Sequence, residues 1–144
     1  PLIEVIEEKS TVPKLIGSLN QLTNNNLNNL KNINVEQIQK LRNNYFEDLH
    51  SHVKSKNNLK IYIDKLPLNI IYVGEIFKIF PKAKFIFSVR HPCDCVLSCF
   101  MQNFAINNAM ANFFNLEDSA KLYNFVMELW STYISIFQIK YQRE

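Results

Sequence analysis

Lys65, Arg90 and Ser98 are the residues of this 144-residue chain whose types and settings suit chemistry best. Lys65 follows "LKIYID", a short β-type run that also delivers Asp64. Arg90 follows "AKFIFSV", an apolar run over residues 83–89, and leads directly into His91 and Pro92. Ligands in open parallel sheets bind beyond the carboxyl ends of the strands. Two strand ends that each deliver a cation therefore point to an anion. Ser98 adds a hydroxyl one to two turns inside the helix expected after Arg90, and the N-terminus of that helix carries partial positive charge. Guanidinium, hydroxyl and helix terminus together suit a phosphate or a sulfate. A strand-end salt bridge gives a similar pattern, and on residue types alone both readings stand.

The residues around them have plainer readings. Asp64 serves as a catalytic carboxylate, orients Lys65, or caps the next turn. Asn69 caps its helix or hydrogen-bonds at the site, and Asp94, four residues before Ser98, braces the helix start. His91 is read as an exposed loop residue, and His50 and His52 as solvated.

These side chains need a frame of strands and helices. Residues 1–20 show a loosely helical pattern interrupted at Pro13. The asparagine-rich tract "QLTNNNLNNLKNIN" reads as loop without chemistry. Apolar residues from Val35 to Val53 recur at helical spacing, with Asn34 as the N-cap. After the polar link "KSKNN" come the strand ending at Asp64, a helix over about 69–80 stopped by Pro81, and a buried strand over 83–89. Strand, helix and strand in succession predict a βαβ unit with parallel strands. Further helices are expected over 93–103 and 117–140, with Trp130 in the core. The class is α/β, a parallel sheet flanked by helices.

Composition sets outer bounds. A hydrophobic fraction of 47% supplies a core, and a net charge of +3 is too mild to argue for nucleic acid. No apolar run reaches the length of a membrane span. Cys93, Cys95 and Cys99 lack the spacing and the fourth ligand of a metal site and read as packing residues. Nothing demands an oxidising compartment, so a cytoplasmic setting is the default expectation.

The stretch "IDKLPLNIIYVGEIFKIFPKAKFIFSVRHPCDCVLSCFMQNF", residues 63–104, resembles the middle of a sulfotransferase domain. The motifs D-K-x-P-x-N, F-P-x-A-K-F-I and V-R-x-P-x-D-x-x-x-S-x-F follow one another in that order. The flavour is that of bacterial sulfotransferases linked to tetratricopeptide repeats, which are similar to tyrosylprotein sulfotransferases. The resemblance implies a P-loop-like fold and transfer of a sulfuryl group from 3′-phosphoadenosine-5′-phosphosulfate to a hydroxyl or amine, protein tyrosine included, with no metal. By the same resemblance Arg90 and Ser98 hold the donor's 3′-phosphate, and Lys65 is catalytic, beside the bridging oxygen of the leaving phosphate.

The family's glycine-containing phosphosulfate loop is not found; the glycines of the chain are Gly17 and Gly74. Its usual base, a glutamate or histidine soon after that loop, is not evident either, and Glu4 and Glu7 read as surface residues. The expectation is thus a single partial domain over 1–144, lacking the P-loop strand and the C-terminal part and carrying the 3′-phosphate half of the donor site. The partners implied are the donor, its product 3′,5′-adenosine bisphosphate and an acceptor, with no nucleic acid. A degenerate domain acting as a scaffold is the alternative.

Overall fold

A computed structural model describes residues 3–53, 61–105 and 107–143. The polar link 54–58 lies outside them. The chain forms two compact units, Pro1–Ala83 and Lys84–Glu144.

The first unit opens with a strand, β1 (Ile3–Glu7), and not with the loosely helical segment expected over 1–20. Ile6 alone is buried; Ile3, Val5 and Glu7 share the exposed face, so the strand has one covered side. Helix α1 (Thr11–Thr23) follows. Pro13 does not interrupt it, because a proline in the first turn gives up an N–H that has no helical partner there. Helix α2 (Val35–Ser51) starts at Asn34, whose side chain accepts from the Gln37 N–H at 2.8 Å while Gln37 Oε1 accepts from the Asn34 N–H at 3.0 Å. This reciprocal cap is the one the sequence predicts, completed by the glutamine.

Strand β2 (Ile61–Lys65) leads through a 3₁₀ turn at Pro67–Tyr72 into α3 (Val73–Ile79). Strand β2 pairs in parallel with β1, placing Ile6 opposite Asp64 and Glu7 opposite Lys65. This parallel partner was not anticipated, because "IEVIE" went unread as a strand.

The asparagine tract is also structured. Asn24 and Asn25 take left-handed backbone, φ 54° and 56°, and end α1 as asparagine can. Asn26 caps a 3₁₀ turn at Leu27–Asn32, and Asn29 Nδ2 donates to the Thr23 carbonyl at 2.9 Å.

The core of this unit joins Val12, Leu15, Ile16 and Leu19 of α1 to Leu41 of α2 and Ile79 of α3. Arg42 reaches across to donate to the Ile79 carbonyl at 2.7 Å, satisfying a group at the end of α3. Leu41 is 2% exposed, so Leu41→Ala is expected to cost about 2–5 kcal/mol of unfolding free energy. Urea denaturation checks this: the midpoint should fall with the slope unchanged. A loss below about 0.5 kcal/mol, the scale of surface substitutions, would mean that Leu41 is not part of the core.

The second unit contains β3 (Phe85–Phe87), shorter than expected, α4 (Pro92–Met101), a 3₁₀ turn at Met110–Phe113, α5 (Leu116–Phe137) and β4 (Tyr141–Arg143). Strands β3 and β4 pair in parallel, and α4 packs on α5. Trp130, 4% exposed, meets the ring of Phe87 at 4.7 Å and that of Tyr141 at 5.1 Å, so it is core as expected. Each unit is thus a small parallel strand pair with helices. Among the described residues no helix is long and apolar enough to cross a membrane.

Candidate functional site

Lys65 occupies the last position of β2, at the carboxyl end of a parallel pair whose other strand ends at Glu7. Side chains alternate along a strand. Ile61, Ile63 and Lys65 therefore share one face with Ile3, Val5 and Glu7. That face is open, with Ile3, Val5 and Ile61 each exposed over about half their surface. The Lys65 ammonium sits 2.9 Å from Glu7 Oε1 and 3.0 Å from Glu8 Oε1. Its hydrogen bonds to Glu7 and Glu8 raise its pKa above the ordinary lysine value, and the same bond to Lys65 lowers the Glu7 carboxyl.

Glu8 is unusual in its backbone. It stands just past β1 at φ 54°, a region that non-glycine residues rarely adopt and that costs about 1–2 kcal/mol. Its N–H donates to the Lys65 carbonyl at 2.8 Å, so the strained residue is tied to the lysine through main chain and side chain together. Strained backbone of this kind clusters at functional sites. Sequence reasoning weighed Glu4 and Glu7 here and passed over Glu8. The available signal was "EE" at the end of a short aliphatic segment, and it becomes visible only once β1 is recognised.

On the covered face of β2, Asp64 points toward α2. Its carboxylate accepts from Tyr45 Oη at 3.0 Å and from Asn69 Nδ2 at 3.3 Å. Burial raises the Asp64 pKa, and these two donors oppose the rise. Burial, with Asp64 alongside, also holds the Tyr45 phenol far above its ordinary range. Asn69 therefore bonds Asp64 and does not cap its helix; Leu66 stands at the cap position.

Tyr45 also walls a cavity of about 210 Å³ between α1 and α2. Lys14 and Asp48 line the same cavity and are hydrogen-bonded to each other, and the lysine holds the Asp48 carboxyl below its usual range. His52 Nε2 lies 3.6 Å from Asp48, and the His50 ring stands against Phe46 and Tyr62, which accounts for both histidines without a catalytic role.

The other two predicted residues lie in the second unit. Arg90 sits in the exposed loop between β3 and α4, and Ser98 is exposed on the second turn of α4. Among the described residues no acidic side chain pairs with Arg90. Its positive charge is nonetheless felt on α4: it favours the Cys99 thiolate, although burial, with Cys95 alongside, pushes the thiol up overall. Pro92 fills the first position of the helix, where its fixed φ suits the turn, and Asp94 adds an acidic side chain to the first turn, as expected. Cys95 and Cys99 are half-buried and Cys93 is exposed. Among the described residues no group of histidine, cysteine and carboxylate side chains is arranged to hold a metal.

Comparison with known proteins bears on this geometry. The model of the sulfotransferase family matches residues 7–143. An uncharacterized protein of Aquifex aeolicus (strain VF5) is 37% identical over 87 residues, which is 56% of this chain and 11% of that protein. The chain thus spans about a tenth of the length of the curated relative it matches. No solved structure matches.

Proposed function

The chain belongs to the sulfotransferase family, and we propose that it serves the transfer of a sulfuryl group from 3′-phosphoadenosine-5′-phosphosulfate to a hydroxyl or amine acceptor. The observation that carries this reading is the Glu7–Lys65–Glu8 constellation at the carboxyl ends of β1 and β2. A cation and carboxylates within 3.0 Å of one another, where parallel strands end, supply both kinds of group that the reaction uses.

When bound, the donor supplies a sulfuryl group and a phosphate that leaves with the bonding electron pair. Lys65 places a fixed positive charge where negative charge grows on that phosphate, which favours the transition state over the ground state. Glu8 accepts the proton that the acceptor hydroxyl or amine gives up as its bond to sulfur forms. Glu7 shares the lysine and keeps its ammonium charged. Arg90 and Ser98 hold the donor's 3′-phosphate. Support for that assignment is an exposed guanidinium without an acidic partner among the described residues, leading into the N-terminus of α4.

The test is an assay of the full-length protein with radiolabelled donor against a panel of phenolic, alcoholic and amine acceptors, tyrosine peptides included. Transfer to any of them supports the reading. Absence of transfer together with absence of 3′,5′-adenosine bisphosphate binding in calorimetry overturns it.

A further inference from the structure

We propose that Asp64 is a positioning residue for Lys65: tethered to α2 by Tyr45 and to the following turn by Asn69, it fixes the end of β2 from beneath. The inference rests on the assignment of Lys65 to the transfer chemistry.

On the covered face of the β1–β2 pair, shared with Glu4 and Tyr62, Asp64 lies directly opposite Ile6, which is 3% exposed. A carboxylate set beside a buried aliphatic side chain is a cost to the fold. Burial disfavours its charged form, and an apolar residue of similar size would fill the space without that cost. The unfavourable carboxylate is met by donors from two separate elements, Tyr45 of α2 and Asn69 of the 3₁₀ turn. Asp48 and His52, from the end of α2, also act on it electrostatically, in opposite senses.

What such convergence secures is geometry. Asp64 and Lys65 share a peptide, and their side chains leave the strand on opposite faces. Two hydrogen bonds on one face hold the backbone from which the lysine departs on the other. The Lys65 carbonyl, bonded to the strained Glu8 N–H, extends the same tether to the carboxylates. A displacement of about 1 Å at such a site can cost on the order of 100-fold in rate. A residue that breaks the packing rule next to a reacting group fits a functional constraint better than a stabilising one.

Asparagine is the informative replacement. Asp64→Asn keeps an oxygen for Tyr45 and, with the Asn69 amide turned over, offers an N–H to Asn69 Oδ1, which is buried without a partner. It therefore preserves the tether and removes the charge. Asp64→Ala removes both, and Tyr45→Phe removes one bond while keeping the ring.

The experiment measures three quantities for each variant. They are turnover of the full-length protein, the melting temperature, and the pH titration of the Lys65 methylene next to Nζ, assigned by Lys65→Arg in lysine-labelled protein. Asp64→Ala should lower kcat by about 10- to 100-fold with KM for the donor little changed, and should move the Lys65 titration down toward that of an ordinary lysine. Tyr45→Phe should do the same in part, and Asp64→Asn should restore most of the rate and the titration. A purely structural Asp64 would lower the melting temperature and leave the Lys65 titration in place, which overturns the proposal. Asp64→Asn as damaging as Asp64→Ala also overturns it, since charge and not tethering would then be what matters. Full turnover in Lys65→Met would sink the assignment of Lys65 alone. The titration arm would still decide whether Asp64 positions that side chain.

Discussion

Lys65→Met is expected to lower kcat for sulfuryl transfer by about 10²- to 10³-fold, the loss typical when one preorganised group facing developing charge is removed. Methionine keeps an unbranched apolar stem and deletes only the ammonium, so the substitution isolates the charge. The effect should fall on kcat and leave KM for the donor nearly unchanged, because the interaction strengthens only as the phosphate departs. Stability should hardly respond, since the ion pairs to Glu7 and Glu8 lie at an exposed strand end where such pairs contribute little. Steady-state kinetics beside thermal melts checks both halves. A proportional rise in KM with kcat intact would make Lys65 a binding residue and leave the chemistry to another group.

The second large effect concerns the other unit. Arg90→Ala is expected to weaken binding of 3′,5′-adenosine bisphosphate by about 30-fold or more, the scale on which a charge-assisted hydrogen bond to an ion, worth about 2 kcal/mol or more, is lost. Isothermal calorimetry on the full-length protein measures this directly. Because Arg90 is exposed and has no acidic partner among the described residues, its removal strands no buried charge, and the fold should survive. The loss should be far smaller for 5′-adenosine monophosphate, which lacks the 3′-phosphate. Equal losses for the two nucleotides would assign Arg90 to the other end of the ligand. Ser98→Ala should act in the same direction by about 1.5 kcal/mol or more, the worth of a hydroxyl hydrogen bond to an ionised phosphate.

Legibility from sequence followed the physics of each element. Helix α2 was readable because apolar residues recur at helical spacing and because Asn34 marks its start by local chemistry, and α4 and α5 lie close to the ranges expected for them. Strand β1 was not readable, since five residues without strict apolar–polar alternation give too weak a pattern to outweigh the aliphatic run that continues into α1. With β1 unread, its parallel pairing with β2 was not legible either. The same omission hid Glu8, whose significance depends on where β1 ends. The strand end at Lys65 was visible from "LKIYID" and its lysine, whereas its partners lie 57 and 58 positions earlier, a separation that no local pattern encodes. Asp64 fell between these cases. Its presence at a strand end was plain, but residue types left Asn69 open between a cap and a hydrogen bond at the site, because that bond joins a side chain on the strand to one in the following turn.

The asparagines between α1 and α2 bear on how this chain tolerates change. Asn24, Asn26, Asn29 and Asn34 each answer a specific backbone demand: a left-handed residue, a turn cap, a carbonyl partner and a helix start. Asparagine is among the few residue types able to meet all four. A compositional drift toward asparagine could therefore pass through this stretch without unravelling it, and the same drift would be removed from the aliphatic seam of α1 and α2. Low complexity here records a region where mutational bias and folding requirements coincide. Libraries that vary this chain should find their widest latitude at the solvent-facing asparagines in between, such as Asn28, and almost none at Asn24 except for glycine.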